Sequence, residues 1–184
     1  EVERVVRNAL RSRKFVVVVK NRVDDAVSLY NRLRDLKPLL LHGRLTFGDR
    51  RKVIREVLEN REENVRVEIK CPNKAEVIEE ERKEDSSKEG ILISPQVVEA
   101  GVNIDADVLI TDLAPLPNLV QRAGRVARFK NEGEMYVAEC DCGPYPSEEC
   151  EFASKYIDKI KEWKAPDYGD EENYAWALEE YGKK

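Results

Sequence analysis

The residues that most constrain the fold are Phe15, Val16, Val17, Val18 and Val19, an unbroken apolar run of strand length with no polar alternation. A strand apolar on both sides must be covered on both sides, which is the condition of a central strand in a parallel sheet. Shorter runs repeat the signal at Leu39, Leu40 and Leu41, at Ile91, Leu92 and Ile93, and at Val108, Leu109 and Ile110. After the first run, Val23, Ala26, Val27, Tyr30 and Leu33 recur at helical spacing and predict an amphipathic helix. After the second, a helix near residues 49–60 turns Val53, Ile54, Val57 and Leu58 inward. Strand and helix alternating through short links make βαβ units. The expected fold class is therefore α/β, a parallel sheet with helices on both faces. Ligands of such sheets gather at the carboxyl ends of the strands. The sequence places three polar groups there: Lys20, Asn21 and Arg22; His42, Gly43 and Arg44; Ser94, Pro95 and Gln96.

The remaining segments are expected to decorate this sheet. Residues 1–12 read as a short leading helix. The chain opens on Glu1 rather than Met, as a fragment or trimmed chain would. Residues 65–69 alternate like an edge strand. The densely charged residues 79–89 read as an exposed, partly disordered stretch, with a partner-binding acidic loop as the alternative. Residues 134–139 read as the closing strand. Phe152, Tyr156, Ile157, Ile160 and Trp163 mark one tail helix, and Tyr174, Leu178 and Tyr181 another. This gives a lobe over residues 1–145, with a charged insertion at 62–90, and a helical extension over 146–184.

A chain of 184 residues suffices for one compact core. Its net charge of -5 is unevenly spread. Residues 1–61 hold 16 Lys+Arg against 8 Asp+Glu, whereas residues 62–184 hold 16 against 29. A basic front half points to an anionic partner on one side, although charges of this kind also simply solvate a surface. The longest apolar run is far too short to span a membrane, and no secretory signal opens the sequence. A cytoplasmic protein with no membrane partner is expected. Cys140, Cys142 and Cys150 lie close together, but the Cys-x-Cys spacing and the lack of a nearby His do not match a zinc site, so no metal is expected. Free thiols and a Cys142–Cys150 disulfide are the readings left open.

Residues 121–128 read Gln-Arg-Ala-Gly-Arg-Val-Ala-Arg. Arg122, Arg125 and Arg128 recur every third residue and would share one face of a helix. Guanidiniums crowded on one face suit phosphate or carboxylate ligands. Gly124 inside that helix would cost about 1 kcal/mol and so implies a close approach.

This octet resembles motif VI of the superfamily-two helicases, and residues 95–105, Pro-Gln-Val-Val-Glu-Ala-Gly-Val-Asn-Ile-Asp, resemble motif V. Together with the Asp-Leu-Ala-Pro-Leu-Pro segment at residues 112–117, they are similar to the CRISPR-associated helicase–nuclease of type I interference. The resemblance implies a RecA-like second motor lobe. It covers residues 15–140 or so, and the sequence holds neither a Walker A loop nor an acidic box of the first lobe. This chain alone is therefore expected not to turn over ATP.

By resemblance, Arg125 and Arg128 are the arginine fingers that neutralise charge on the transferring phosphoryl group. Gln121, Arg122, Gly101, Asn103 and Asp105 are the nucleotide-binding candidates. Asn21, Arg22, His42, Arg44, Ser94 and Gln96 are the candidates for holding single-stranded DNA through its phosphates. No base-stacking aromatic pair is evident in the sequence; Phe47 and Phe129 are the only nearby candidates. The implied cofactor is ATP with Mg2+, the metal being held by a first RecA-like lobe of the same protein. The implied partners are that lobe, single-stranded DNA, an HD-type nuclease and a CRISPR surveillance complex. Two departures stand out: Pro95 where the family has Thr, and Asn103 where it has Asp. They motivate the alternative of a nucleic-acid-binding module without motor function. A second alternative is the same lobe from a DNA repair or remodelling translocase.

Overall fold

A computed structural model describes residues 1–59, 67–71, 74–78, 89–95, 104–126 and 133–160. The elements are α1 (Val2–Arg11), β1 (Phe15–Val19), α2 (Val23–Arg32), β2 (Leu39–Leu40), α3 (Phe47–Glu59), β3 (Val67–Cys71), β4 (Lys74–Ile78), β5 (Gly90–Ser94), β6 (Val108–Asp112), α4 (Leu116–Ala123), β7 (Glu134–Ala138) and α5 (Ser147–Ile160), with a short 3-10 turn at Arg34–Leu36. Five strands form one sheet in the order β2-β5-β1-β6-β7, and every pairing within it is parallel. The expected α/β architecture is the observed one.

The valine run builds the centre of this sheet. Val17 pairs with Leu92 on one side and Leu109 on the other, and all five residues of β1 are buried. Successive side chains of a strand point to opposite faces. Accordingly Phe15, Val17 and Val19 join Leu41, Val57, Leu92 and Leu109 in one core, under α3. Val16 and Val18 join Val6, Ala26, Leu29, Leu33, Ile91 and Ile93 in the other, under α1 and α2. Each fully buried valine contributes roughly 1.5 kcal/mol or more, so β1 is the strand least able to be displaced. Asp107 clips its start, accepting a 2.7 Å hydrogen bond from the Phe15 amide. A third cluster packs Leu116 and Leu119 of α4 against Ala153, Phe152 and Tyr156 of α5.

Two sequence expectations are corrected here, and one reading left open, the Cys142–Cys150 disulfide, is the observed one. β2 is a two-residue edge strand with half-buried side chains, because only β5 pairs with it; Leu41 carries the buried position just beyond. The strand expected at 65–69 is observed as β3, and it pairs antiparallel with β4 in a separate two-stranded sheet. Cys142 and Cys150 are joined as a disulfide, because the first turn of α5 returns the chain beneath the loop that leaves β7. The expectations for residues 79–88, for Trp163, and for Tyr174, Leu178 and Tyr181 fall outside the described residues. Among the described residues, no helix is long and apolar enough to cross a membrane, and no group of His, Cys, Asp or Glu could hold a metal ion.

Candidate functional site

Because the five strands run in parallel, β1, β2, β5, β6 and β7 all release their following residues at one edge of the sheet. Lys20, Asn21 and Arg22 follow β1, His42 and Arg44 follow β2, and Ser94 ends β5. The turns are locally determined. The Lys20 amide donates to the Ser94 carbonyl (2.8 Å), which ties the ends of neighbouring strands together. The Arg44 amide donates to His42 Nδ1 (3.2 Å), so the ring caps its own turn. Thr46 and Asp49 then open α3 reciprocally: the Thr46 hydroxyl donates to the Asp49 carboxylate (2.6 Å), and the Asp49 amide donates to the Thr46 hydroxyl (3.2 Å). Thr46 thereby acts as the N-cap of α3, its hydroxyl accepting the third amide of the helix.

A buried polar hub lies at this edge. Arg122 is 1% exposed, yet it carries a full positive charge. Its Nη1 donates to the Thr111 hydroxyl (2.6 Å) and the Asp112 carbonyl (3.1 Å). Its Nη2 donates to Asn21 Oδ1 (3.1 Å) and to the Tyr145 hydroxyl (3.4 Å). The Asn21 amide nitrogen donates in turn to the Leu113 carbonyl (2.7 Å). Asp112, 3% exposed, receives the Asn21 backbone amide at 2.9 Å and an ion pair from Lys20. Burial pulls the guanidinium of Arg122 below its ordinary value, while Tyr145 and Asp112 push it back up. The thiol of Cys140 is pushed up, first by burial and then by the neighbouring Asp112.

The arginine row is therefore divided. α4 stops at Ala123, and Gly124 is its C-cap, at φ -63° and ψ 2°. The glycine lies at the helix end rather than inside it, and a Cβ built there would meet nothing nearer than the Gln121 carbonyl at 3.5 Å. The close approach inferred from its sequence position is absent among the described residues. The helix ends at this residue, so Arg122 and Arg125 do not share a helical face. Arg122 points into the lobe. Arg125, half-buried, sits in the following turn, where its carbonyl accepts from the Ala106 amide (2.8 Å). Val126 then bridges in parallel to Ala106, two residues before β6 begins. Asp105, 2% exposed, is the residue before Ala106.

Two groups of candidates thus occupy opposite ends of β6. Asn21, Arg22, His42, Arg44 and Ser94 stand at the carboxyl ends of the strands, while Arg125 and Asp105 stand at the amino end of β6. A five-residue strand separates such ends by about 17 Å. Within the first group, Asn21 (6% exposed) and Ser94 (4% exposed) lie inside the lobe, and Arg22 and Arg44 lie outside. Arg22 is seated by the loop after β7. It donates to the Asp141 carboxylate (2.9 Å), and its guanidinium fills the space a side chain at Gly143 would need. Asp141 is held below the usual carboxylate range, first by the Gly143 amide and then by Arg22. Arg44 pairs with Asp24 at 3.3 Å on the surface. Gln121 is exposed on α4. Gln96, Gly101, Asn103 and Arg128 lie outside the described residues.

Sequence reasoning missed Thr111, Asp112, Asp141, Gly143 and Tyr145. A readable signal existed for the first two. Thr111 and Asp112 end an apolar strand at the edge where ligands gather, and polar residues at such an end are rarely idle. Tyr145 and Asp141 carry no signal of this role, because the arginines they meet, Arg122 and Arg22, are more than 20 residues away in the sequence.

Residues 12–131 match the family of the CRISPR-associated nuclease/helicase Cas3, C-terminal region. The chain is 32% identical over 122 residues to the CRISPR-associated nuclease/helicase Cas3 of Methanothermobacter thermautotrophicus, covering 65% of this chain and 12% of that protein. It is 30% identical over 135 residues to the CRISPR-associated helicase Cas3 of Thermoproteus tenax, covering 72% of this chain and 20% of that protein. The crystal structure of T. fusca Cas3 with AMPPNP superposes with a TM-score of 0.65 at 16% identity, over 99% of this chain and 24% of that one. The chain thus spans a fifth or less of the length of these two curated relatives.

Proposed function

The chain belongs to the Cas3-like C-terminal helicase family, and from that premise we propose that it is the second motor lobe of an ATP-dependent translocase acting on single-stranded DNA in CRISPR interference. A first RecA-like lobe supplies the phosphate-binding loop and the Mg2+ ligands. ATP is bound between the lobes. Arg125 and Arg128 reach the transferring phosphoryl group, and Gln121, Asp105, Gly101 and Asn103 shape the nucleotide side of the cleft. Arg22, His42, Arg44 and Gln96 hold phosphates of the strand, with Asn21 and Ser94 fixing the turns that present them. An HD-type nuclease and a surveillance complex complete the assembly.

The observation that carries this reading is that Arg122, at the end of α4, and Arg125, in the turn after it, are held at opposite ends of β6. Arg122, in its last turn, is anchored to the strand ends that bear Asn21 and Arg22. Arg125, three residues on, is pinned beside Asp105 at the other end of β6. A nucleotide gripped at Arg125 and a phosphate backbone gripped at Arg22 are then joined through the end of α4 and the turn after it. Such an element lets each ligand bias the grip on the other. A plain binding module has no need of the second group.

The test is ATP turnover by this chain joined to a first RecA-like lobe, with and without single-stranded DNA. Turnover that rises with DNA supports the proposal. DNA binding with no nucleotide-dependent turnover overturns it in favour of a binding module.

A further inference from the structure

The hub and the finger account for the interior and for one end of β6. They leave unexplained an exposed aromatic ring in a strongly cationic stretch of the lobe. Phe47 is 59% exposed, the most exposed large apolar side chain among the described residues. It is the first residue of α3, on the connection that leaves β2 at the same edge as Arg22 and Ser94. Residues 42–55 carry five Lys+Arg, namely Arg44, Arg50, Arg51, Lys52 and Arg55, against a single acid, Asp49. Asp49 is itself engaged by Thr46 in opening the helix.

Those two bonds fix the backbone on either side of the ring, so its exposure belongs to a well-defined turn. Beside it, a Cβ built on Gly48 would meet nothing within 4 Å. With 59% of its surface exposed, the ring itself is reachable by a flat ligand. Leu45, two residues before, packs on the core, so the loop had an apolar residue available for burial and still leaves Phe47 outside. An exposed phenyl among guanidiniums is the composition of a single-strand platform: cations take the phosphates and the ring takes a base. A protein partner would match these charges only with an acidic surface, whereas a single strand supplies phosphates and flat bases together.

We propose that Phe47 is a base-stacking residue on the single-strand track, binding nucleic acid through the face of a base and without sequence preference. This rests on the nucleic-acid reading above and adds to it the chemistry that distinguishes a base-bearing strand from a bare polyanion.

The experiment uses the full 184-residue chain and fluorescence anisotropy with two labelled strands of about 20 nucleotides, long enough for one binding site. One is oligo(dT); the other is an abasic deoxyribose-phosphate strand of equal length. Phe47→Ala should weaken oligo(dT) binding at least about 5-fold, the low end of what one stacked base contributes. It should leave abasic-strand binding nearly unchanged. Phe47→Trp should keep affinity, and its added emission should be quenched by oligo(dT) relative to the wild-type chain. Equal losses on both strands would overturn stacking and assign the ring to the shape of the turn. Unchanged binding by Phe47→Ala, with the wild-type chain binding oligo(dT), would overturn it and give the ring to a protein neighbour. No binding of either strand by the wild-type chain would overturn the nucleic-acid reading itself.

Discussion

Replacing Arg122 by Ala is the perturbation whose outcome the structure determines most sharply. The side chain is 1% exposed and makes four hydrogen bonds, to Thr111, Asp112, Asn21 and Tyr145. Hydrogen bonds from a charged donor contribute about 1.5–3 kcal/mol each when measured singly, but they do not add within one network. Truncation also removes a buried cation, which returns part of its desolvation cost. The hydroxyls of Thr111 and Tyr145 can rotate toward new partners. Asn21 Oδ1 and the Asp112 carbonyl cannot, although the latter also accepts from Thr111 at 3.0 Å. The net loss should be about 3–5 kcal/mol, the range for breaking a buried charged network by removing one member. A chain of this size loses roughly 2–4 °C of Tm per kcal/mol, so the midpoint should fall by at least about 6 °C. Urea denaturation followed by circular dichroism, with a thermal scan beside it, measures both. Arg122→Lys should recover only part of the loss, since one ammonium cannot reach the four acceptors at once. A loss below about 1 kcal/mol would refute the hub, for that is what an exposed nucleotide ligand would show.

Other outcomes follow from the same coordinates. Replacing Cys150 by Ser, or reducing the Cys142–Cys150 bond, should lower stability by about 2–3 kcal/mol, since the bridge closes a short loop; thermal scans with and without reductant check this. Glu134 is held below the ordinary carboxylate range, first by Lys14 and then by Tyr136. Its contribution is present above the unfolded value and is lost as pH falls through the folded one, so stability should decline below about pH 4. Glu134→Gln should flatten that part of the curve in pH-dependent denaturation. Gly143→Ala places a Cβ where the Arg22 guanidinium lies. Because the end of an arginine side chain moves freely, stability should change by no more than about 0.5 kcal/mol. Arg22 should leave Asp141, which solution NMR of the arginine side-chain resonances will report.

The sheet was legible because its chemistry is local. Val16 to Val19 can satisfy their apolar bulk only in a buried strand, and the stripe of Ala26, Tyr30 and Leu33 fixes the face α2 turns inward. Leu29 escaped that stripe, because a helix packed across a sheet buries a broader arc than one line of residues. β4 escaped as well: Lys74 and Glu76 hide the strand pattern of Ala75, Val77 and Ile78. The candidate site was legible as a set of residue types and illegible as geometry. Three arginines spaced by three look like one helical face, and only the helix end at Gly124 separates the directions of Arg122 and Arg125. Whether an arginine is a ligand or a buried clamp depends on acceptors such as Asn21 and Tyr145, which arrive from remote parts of the chain.

The most direct test of the central claim is single-turnover ATP hydrolysis by this chain joined to a first RecA-like lobe, on saturating single-stranded DNA, with Arg125 intact or replaced by Ala. Nucleotide affinity is measured on the same proteins. An arginine finger acts on the transition state, so the account predicts a rate lowered at least about 1000-fold with ATP affinity little changed. An unchanged rate, or a loss confined to ATP affinity, would contradict it.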